Sequence, residues 1–295
     1  MSEEHRPWKG KTGGGAFGQV WLFFILSFVP VRALYPFLYV TIPFYILFRR
    51  KDFNAMKQYF MQRHHYSEKA ARKAVWRNFF TFGEVVIDKF AFMVDNTKQF
   101  KVDIDHEEAF WQMLNNSKSL FVLSAHIGNF ELAGHCLQQD VKRLNYVAYG
   151  GESATFQHQR QRSSKKTKVN LISVLPDMSH LFAIKQAADD GEILAIPCDR
   201  VLGSPRKMTF DFLGAPADFP LGTFRIACQL ETQVCALFVM KIKGTHYHAY
   251  VSPLKIHEEL PLQERVQDVA QQYIDALEKM VRQYPEQWFN YFPFW

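Results

Sequence analysis

Six short runs rich in β-branched and aromatic residues, at 120–124, 146–149, 170–174, 193–197, 234–241 and 247–251, alternate with helix-like stretches at 130–139, 177–188 and 221–230. This alternation is the strongest constraint on the fold. Parallel strands need crossovers of a dozen or more residues, and helices of that length suit the task, so the pattern predicts an α/β domain with a mostly parallel sheet flanked by helices. From Pro261 onward, Val266, Val269, Tyr273, Leu277, Val281 and Tyr284 keep three- and four-residue spacing, the signature of an amphipathic helix opened by proline. Upstream, Ser67 is a suitable N-cap for a helix whose apolar positions are Ala71, Val75, Phe79, Phe82 and Val86.

The amino-terminal part has a different character. From Ala16 to Phe48 the only charged side chain is Arg32. Residues 12–31 are uncharged over about the twenty residues that a membrane-crossing helix needs. Pro30, Pro36 and Pro43 interrupt helical hydrogen bonding, however, and Arg32 at mid-bilayer carries a cost of about 2.5–3.5 kcal/mol. One straight span is therefore disfavoured relative to an anchoring helix or hairpin. Basic residues flank the run on both sides, Arg6, Lys9 and Lys11 before it and Arg49, Arg50 and Lys51 after it, which places these flanks on the cytoplasmic side. The expected division is a membrane-associating segment over 1–51 and a catalytic-size domain over 52–295. The letters Gly10-Lys11-Thr12 lack the spacing and the preceding strand of a phosphate-binding loop.

Composition narrows the partners. Twenty-eight phenylalanines among 295 residues indicate much apolar surface to be hidden in a core, an acyl-sized cavity or a bilayer. A formal charge of +6 favours an anionic partner, whether a phospholipid surface, an acidic carrier protein or a phosphorylated substrate. The basic residues are dispersed and would leave the apolar amino terminus unexplained in a nucleic-acid binder, so no nucleic acid is expected. Cys136, Cys198, Cys228 and Cys235 lack CxxC spacing and lie in apolar segments, as buried thiols of a reducing compartment do.

The chemistry concentrates in Leu120-Phe-Val-Leu-Ser-Ala-His-Ile-Gly-Asn-Phe-Glu-Leu-Ala-Gly-His135, a buried-strand pattern running through a turn into a helix. His126 and Glu131 are five positions apart, which on one helix would turn them about 140° away from each other. If the two act together, His126 lies in the turn, Gly128 gives that turn its freedom, and Asn129 caps the helix with Glu131 in its first turn. A carboxylate there is favoured as an anion by about 0.3–1 kcal/mol, so Glu131 can hold one imidazole N–H while the other nitrogen accepts a proton near neutral pH. The alternative is a hydrogen-bonded core histidine and a solvated glutamate. No serine occupies a GxSxG elbow, and His126, Glu131 and His135 lack the HExxH spacing of a zinc site, so neither an acyl-serine nor a metal is indicated.

His126-Ile-Gly-Asn-Phe-Glu131 resembles the H-x-G-N-[WF]-E box of the bacterial lipid A late acyltransferases, within the lysophospholipid acyltransferase superfamily. Phe80-Thr-Phe-Gly-Glu84, Asp199-Arg-Val-Leu-Gly203, the block from Phe212 to Gly222 and Pro285-Glu-Gln-Trp288 follow in the family's order, so the resemblance covers nearly the whole chain. It implies a glycerolphosphate-acyltransferase-like fold at the bacterial inner membrane, with its active site facing the cytoplasm. It also implies transfer of a fatty acyl chain from acyl carrier protein or acyl-CoA to a hydroxyl or amine of a membrane lipid, such as a lipid A precursor, without a cofactor. By this resemblance His126 and Glu131 are catalytic, and Asn129, Asp199, Arg200 and Arg160 or Arg162 are substrate-binding. The latter two arginines also belong to a basic run with Lys165, Lys166 and Lys168 that suits a solvated surface. For Trp288 and the aromatics after it, packing or interface anchoring is expected. The competing class is a non-catalytic peripheral protein that binds anionic lipid, which has no need of a base beside a carboxylate.

Overall fold

The computed structural model describes residues 24–295 apart from 95, 117, 131, 133–141, 150–168, 175–176, 202–205 and 231. Seven strands, β1 (Lys101–Ile104), β2 (Leu120–Ser124), β3 (Leu144–Tyr149), β4 (Val169–Val174), β5 (Ile193–Pro197), β8 (Gln233–Lys243) and β9 (His246–Leu254), form one sheet in the order β1-β9-β8-β2-β5-β3-β4. β6 (Lys207–Asp211) and β7 (Pro216–Pro220) make a separate antiparallel hairpin. Within the large sheet every pairing is parallel except β8 with β9. The mostly parallel sheet expected from the sequence is present, with one antiparallel hairpin set into it.

The strands sort the core into two halves by alternation. On β2, Phe121 and Leu123 join one apolar cluster while Leu120 and Val122 join the other. On β8, Phe238 and Met240 face the first and Leu237 and Val239 the second. Successive strand residues point to opposite faces, so a strand covered on both sides must be apolar throughout. Helix α4 (Glu107–Asn116) supplies Phe110 and Leu114 to the smaller cluster. The larger is covered by α1 (Leu38–Phe48), α2 (Arg50–Arg63), α3 (Glu68–Met93), α5 (His180–Asp189), α6 (Leu221–Gln229) and α7 (Leu262–Gln283). Ser67 caps α3, its hydroxyl accepting from the Ala70 N–H, as its sequence position predicts. Pro261 stands just before α7 rather than inside its first turn.

Residues 24–51 are not separate from this body. Leu26, Val31, Leu38 and Ile42 are buried in the larger core, and the division expected between residues 51 and 52 falls inside α2. Gly83 lets α1 approach α3, since a Cβ there would lie 2.7 Å from Leu38 Cδ2. Arg32 sits in a short 3-10 turn (Val31–Ala33) and donates to Thr245 Oγ1 at 3.0 Å. Beside it, Tyr35 donates to Asp88 Oδ1 at 2.7 Å and Lys241 Nζ donates to Asp88 Oδ2 at 2.6 Å. The Tyr247 hydroxyl also donates to Asp88. A buried carboxylate is tolerated only when paired and hydrogen-bonded in this way. Thus the apolar amino-terminal segment is tied to α3 and to the β8–β9 hairpin.

That segment keeps an outward face. Val31–Phe48 is, among the described residues, the one stretch long and apolar enough to cross a membrane by length and composition. Its backbone is broken into two 3-10 turns and α1, with Pro43 inside the helix. Leu38 and Ile42 face the core, whereas Phe37, Tyr39, Val40, Phe44, Leu47 and Phe48 are exposed.

Candidate active site

β2 and β5 are neighbours, paired in parallel so that Ser124 lies opposite Pro197. The ladder runs one step further, the Cys198 N–H donating to Ser124 O at 2.8 Å. Two residues beyond the paired ends, His126 and Asp199 therefore emerge side by side at the carboxyl edge of the sheet, the usual ligand edge of open parallel sheets. His126 Nδ1 lies 2.7 Å from Asp199 Oδ1, and the His126 backbone N–H donates to Asp199 Oδ2 at 3.0 Å. Because an ionised carboxylate only accepts, Nδ1 carries the hydrogen and Nε2 is left as a proton acceptor.

The turn that carries the imidazole is clamped from two sides. Gly128 has φ +56°, and its N–H donates to Gln287 O at 2.9 Å. The Asn129 N–H donates to Val239 O on β8 at 2.7 Å, and the Phe289 N–H donates to His126 O at 2.9 Å. Ile127 and Trp288 form an isolated antiparallel bridge. Gln287 is itself fixed, accepting from the Lys241 N–H at 2.9 Å and donating to Lys241 O at 2.7 Å. The Trp288 indole N–H donates to Asp199 Oδ2 at 3.3 Å. The closing Pro-Glu-Gln-Trp segment thus holds both the turn and the carboxylate, a role beyond the packing expected for Trp288.

Asp199 is 1% exposed. Burial alone would raise its carboxyl, but the imidazole, the Arg200 guanidinium and the His126 N–H outweigh it and draw it down to about 2. On His126, burial is the larger influence and lowers the imidazole below its ordinary value, with Arg200 and Lys89 acting the same way and Asp199 opposing. The pair at neutral pH is a neutral imidazole bonded to a carboxylate anion. Phe130 meets the imidazole edge-on at 5.5 Å between centroids and stacks on Tyr146 at 5.8 Å. Cys198, next to Asp199, is no competing nucleophile: burial pushes its thiol well above the usual range, and it donates to Ile196 O.

The remaining sequence candidates fall in different places. Asn129 is buried, and its Oδ1 accepts from the Leu132 N–H at 3.3 Å, the capping contact expected of it. Arg200 donates to Phe289 O at 3.0 Å and lies 5.4 Å from the Phe292 ring centre. Asp199, grouped by the sequence with substrate-binding residues, has its oxygens taken by His126 and Trp288 instead. Glu131, Arg160 and Arg162 lie outside the described residues. The imidazole hydrogen that the sequence reading assigns to Glu131 is directed at Asp199, because strand pairing places that carboxylate at Nδ1.

A histidine held by a buried carboxylate at the carboxyl edge of an α/β sheet, with Nε2 left as an acceptor, is an arrangement able to take a proton from a bound group. The family model of the bacterial lipid A biosynthesis acyltransferases matches residues 24–295, and the chain belongs to that family. It is an acyltransferase acting on lipid. A search of curated proteins finds no match.

Proposed function

We propose that this protein transfers a fatty acyl group from a thioester, carried by acyl carrier protein or CoA, to a hydroxyl or amine of a lipid A precursor, with His126 as general base and Asp199 as its positioning residue. The His126–Asp199 contact at 2.7 Å carries this reading. Nε2 takes the acceptor's proton as the acceptor oxygen or nitrogen attacks the thioester carbonyl carbon. The tetrahedral oxyanion then collapses, the C–S bond breaks, and the proton passes from Nε2 to the leaving thiolate. Asp199 keeps Nδ1 protonated throughout and stabilises the transient imidazolium. Arg160 or Arg162 and Arg200 are the proposed cationic groups for the oxyanion or the substrate, and Glu131, five positions after His126 in the sequence, is a second proposed acidic residue.

The membrane supplies the acceptor. Helix α1 has 11 residues, about 16 Å at 1.5 Å each, roughly half of a 30 Å hydrocarbon core. Its exposed Phe44, Leu47 and Phe48 suit burial in one leaflet, with Arg49, Arg50 and Lys51 at the anionic headgroups of the cytoplasmic side. The amino-terminal segment over 1–51 is in this reading the membrane-associating part of the bacterial inner-membrane enzyme.

The direct test incubates detergent-purified protein with acyl carrier protein or CoA thioesters and a lipid extract, followed by mass spectrometry. A lipid gaining one acyl mass is expected from wild type and not from His126→Ala, and equal product from both would remove the mechanism. A second expectation concerns pH. Protonation of His126 abolishes its capacity as a base, and burial lowers its pKa, so the acid limb of kcat/KM should lie below about 6.5, the unperturbed histidine value. A limb above pH 7 would contradict the burial argument.

A further inference from the structure

One face of α3 presents Lys73, Trp76, Arg77 and Phe80 at helical spacing to a cleft of about 500 Å³ whose opposite wall includes Arg32 and Tyr39. Neither the apolar core nor the His126 site accounts for three cations here. Lys73 is exposed. Arg77 pairs with Glu286 and Arg32 donates to Thr245, but a guanidinium has five N–H donors, so both retain capacity. Glu84 also lines the cleft and lies 3.4 Å from Lys241 Nζ, which is shared with Asp88, so Arg32, Lys73, Arg77 and Lys241 against Glu84, Asp88 and Glu286 leave one positive charge in excess.

The aromatic groups give the cleft a depth. Tyr39 packs on Phe80 at 4.9 Å and Trp76 lies 6.4 Å from Phe80. Tyr39 stands on α1 next to exposed Val40 and five residues before exposed Phe44. Tyrosine and tryptophan sit at the membrane–water boundary, where lipid phosphates lie. Cations directly beyond such a belt meet that phosphate layer. Arg32, the lone charge in the apolar amino-terminal run, thereby acquires a reason for its position.

We propose that this cleft binds the phosphate headgroup of a membrane lipid, at a site separate from His126, through Lys73, Arg77 and Arg32. The inference rests on the reading of the α1 face as membrane-inserted. Flotation of the full-length protein with phosphatidylcholine vesicles tests it, the vesicles doped either with phosphatidic acid or, at matched surface charge, with cholesteryl hemisuccinate, a carboxylate. Wild type is expected to prefer the phosphatidic acid vesicles, and Lys73→Gln to lose about fivefold of that binding and most of the preference. Lys255→Gln, which removes a charge outside the cleft, should keep the preference, and His126→Ala should bind as wild type. Equal flotation of wild type with both anionic vesicles, or equal loss in Lys73→Gln and Lys255→Gln, would overturn the site while leaving the membrane reading intact. Failure to float with any vesicle would remove the membrane reading and the site with it. No arm depends on acyl transfer, so the catalytic proposal is tested separately.

Discussion

Asp199→Asn is expected to lower kcat/KM for acyl transfer by about 10²–10⁴, the range assigned to a positioned general base. The loss should approach that of His126→Ala. An asparagine can turn its amide N–H toward Nδ1, which places the imidazole hydrogen on Nε2, the nitrogen that must accept the acceptor's proton. It also removes the anion that opposes burial on His126, so the imidazole becomes a weaker base. Stability changes in the same variant with a defined sign. The Asp199 carboxyl is held near 2, below its unfolded value of about 3.9, so its contribution is present above pH 4 and is lost as pH falls through 2. The variant lacks that contribution, and its unfolding midpoint near neutral pH should lie below wild type. The comparison variant is Glu131→Gln, assayed for kcat/KM beside it. A severe defect in Glu131→Gln with a mild one in Asp199→Asn would reverse the assignment of the positioning carboxylate.

Gly128→Ala is expected to lower both stability and turnover. At φ +56° an L-residue carries a left-handed penalty of about 1–2 kcal/mol, and the added Cβ would fall 2.2 Å from Val239 O and 3.0 Å from Met240 Sδ. Val239 is a backbone partner on a buried strand, so the turn must shift and the strand will not. That turn carries His126, and a displacement of about 1 Å at a reacting group costs on the order of 10²-fold in rate. We expect a fall of at least about 5 °C in Tm, measured by circular dichroism, together with that loss of kcat. Gly214→Ala is the control. Gly214 has φ +76° in the β6–β7 turn, but nothing lies within 4 Å of its added Cβ, so only the backbone penalty applies and kcat should be retained. Equal kcat losses in the two variants would mean that the Val239 contact does not position the base.

The particular elements indicate why some features are legible in the sequence. β2 and β5 end where the sequence places them because both are covered on two faces, and a continuous apolar run of four or five residues then has sharp boundaries. β1, half-exposed at the sheet edge with Lys101 and Asp103 among four residues, has no such contrast with its surroundings and is absent from the sequence expectations. So is the β6–β7 hairpin, whose turn is closed by Leu213 and Gly214 in left-handed backbone conformations. His126 stands out through the turn that follows a buried strand. Asp199 is visible as a strand-end residue, yet the nearer Glu131 draws the pairing, since sequence distance is all that a linear reading can weigh. Trp288 belongs to a motif legible in the sequence, and its indole contact with Asp199 follows only from the chain's return beside the turn.

From the sequence alone come the α/β alternation, the apolar amino-terminal segment and a histidine in the turn after a buried strand, because hydrophobic periodicity and turn chemistry act over a few neighbouring residues. The tertiary structure decides which carboxylate holds the imidazole and which face of the amino-terminal segment stays bare. Both depend on register and packing between residues far apart in the chain: Asp199 reaches His126 across 73 positions because β2 and β5 pair with Ser124 opposite Pro197, and that register exists only once the sheet has formed.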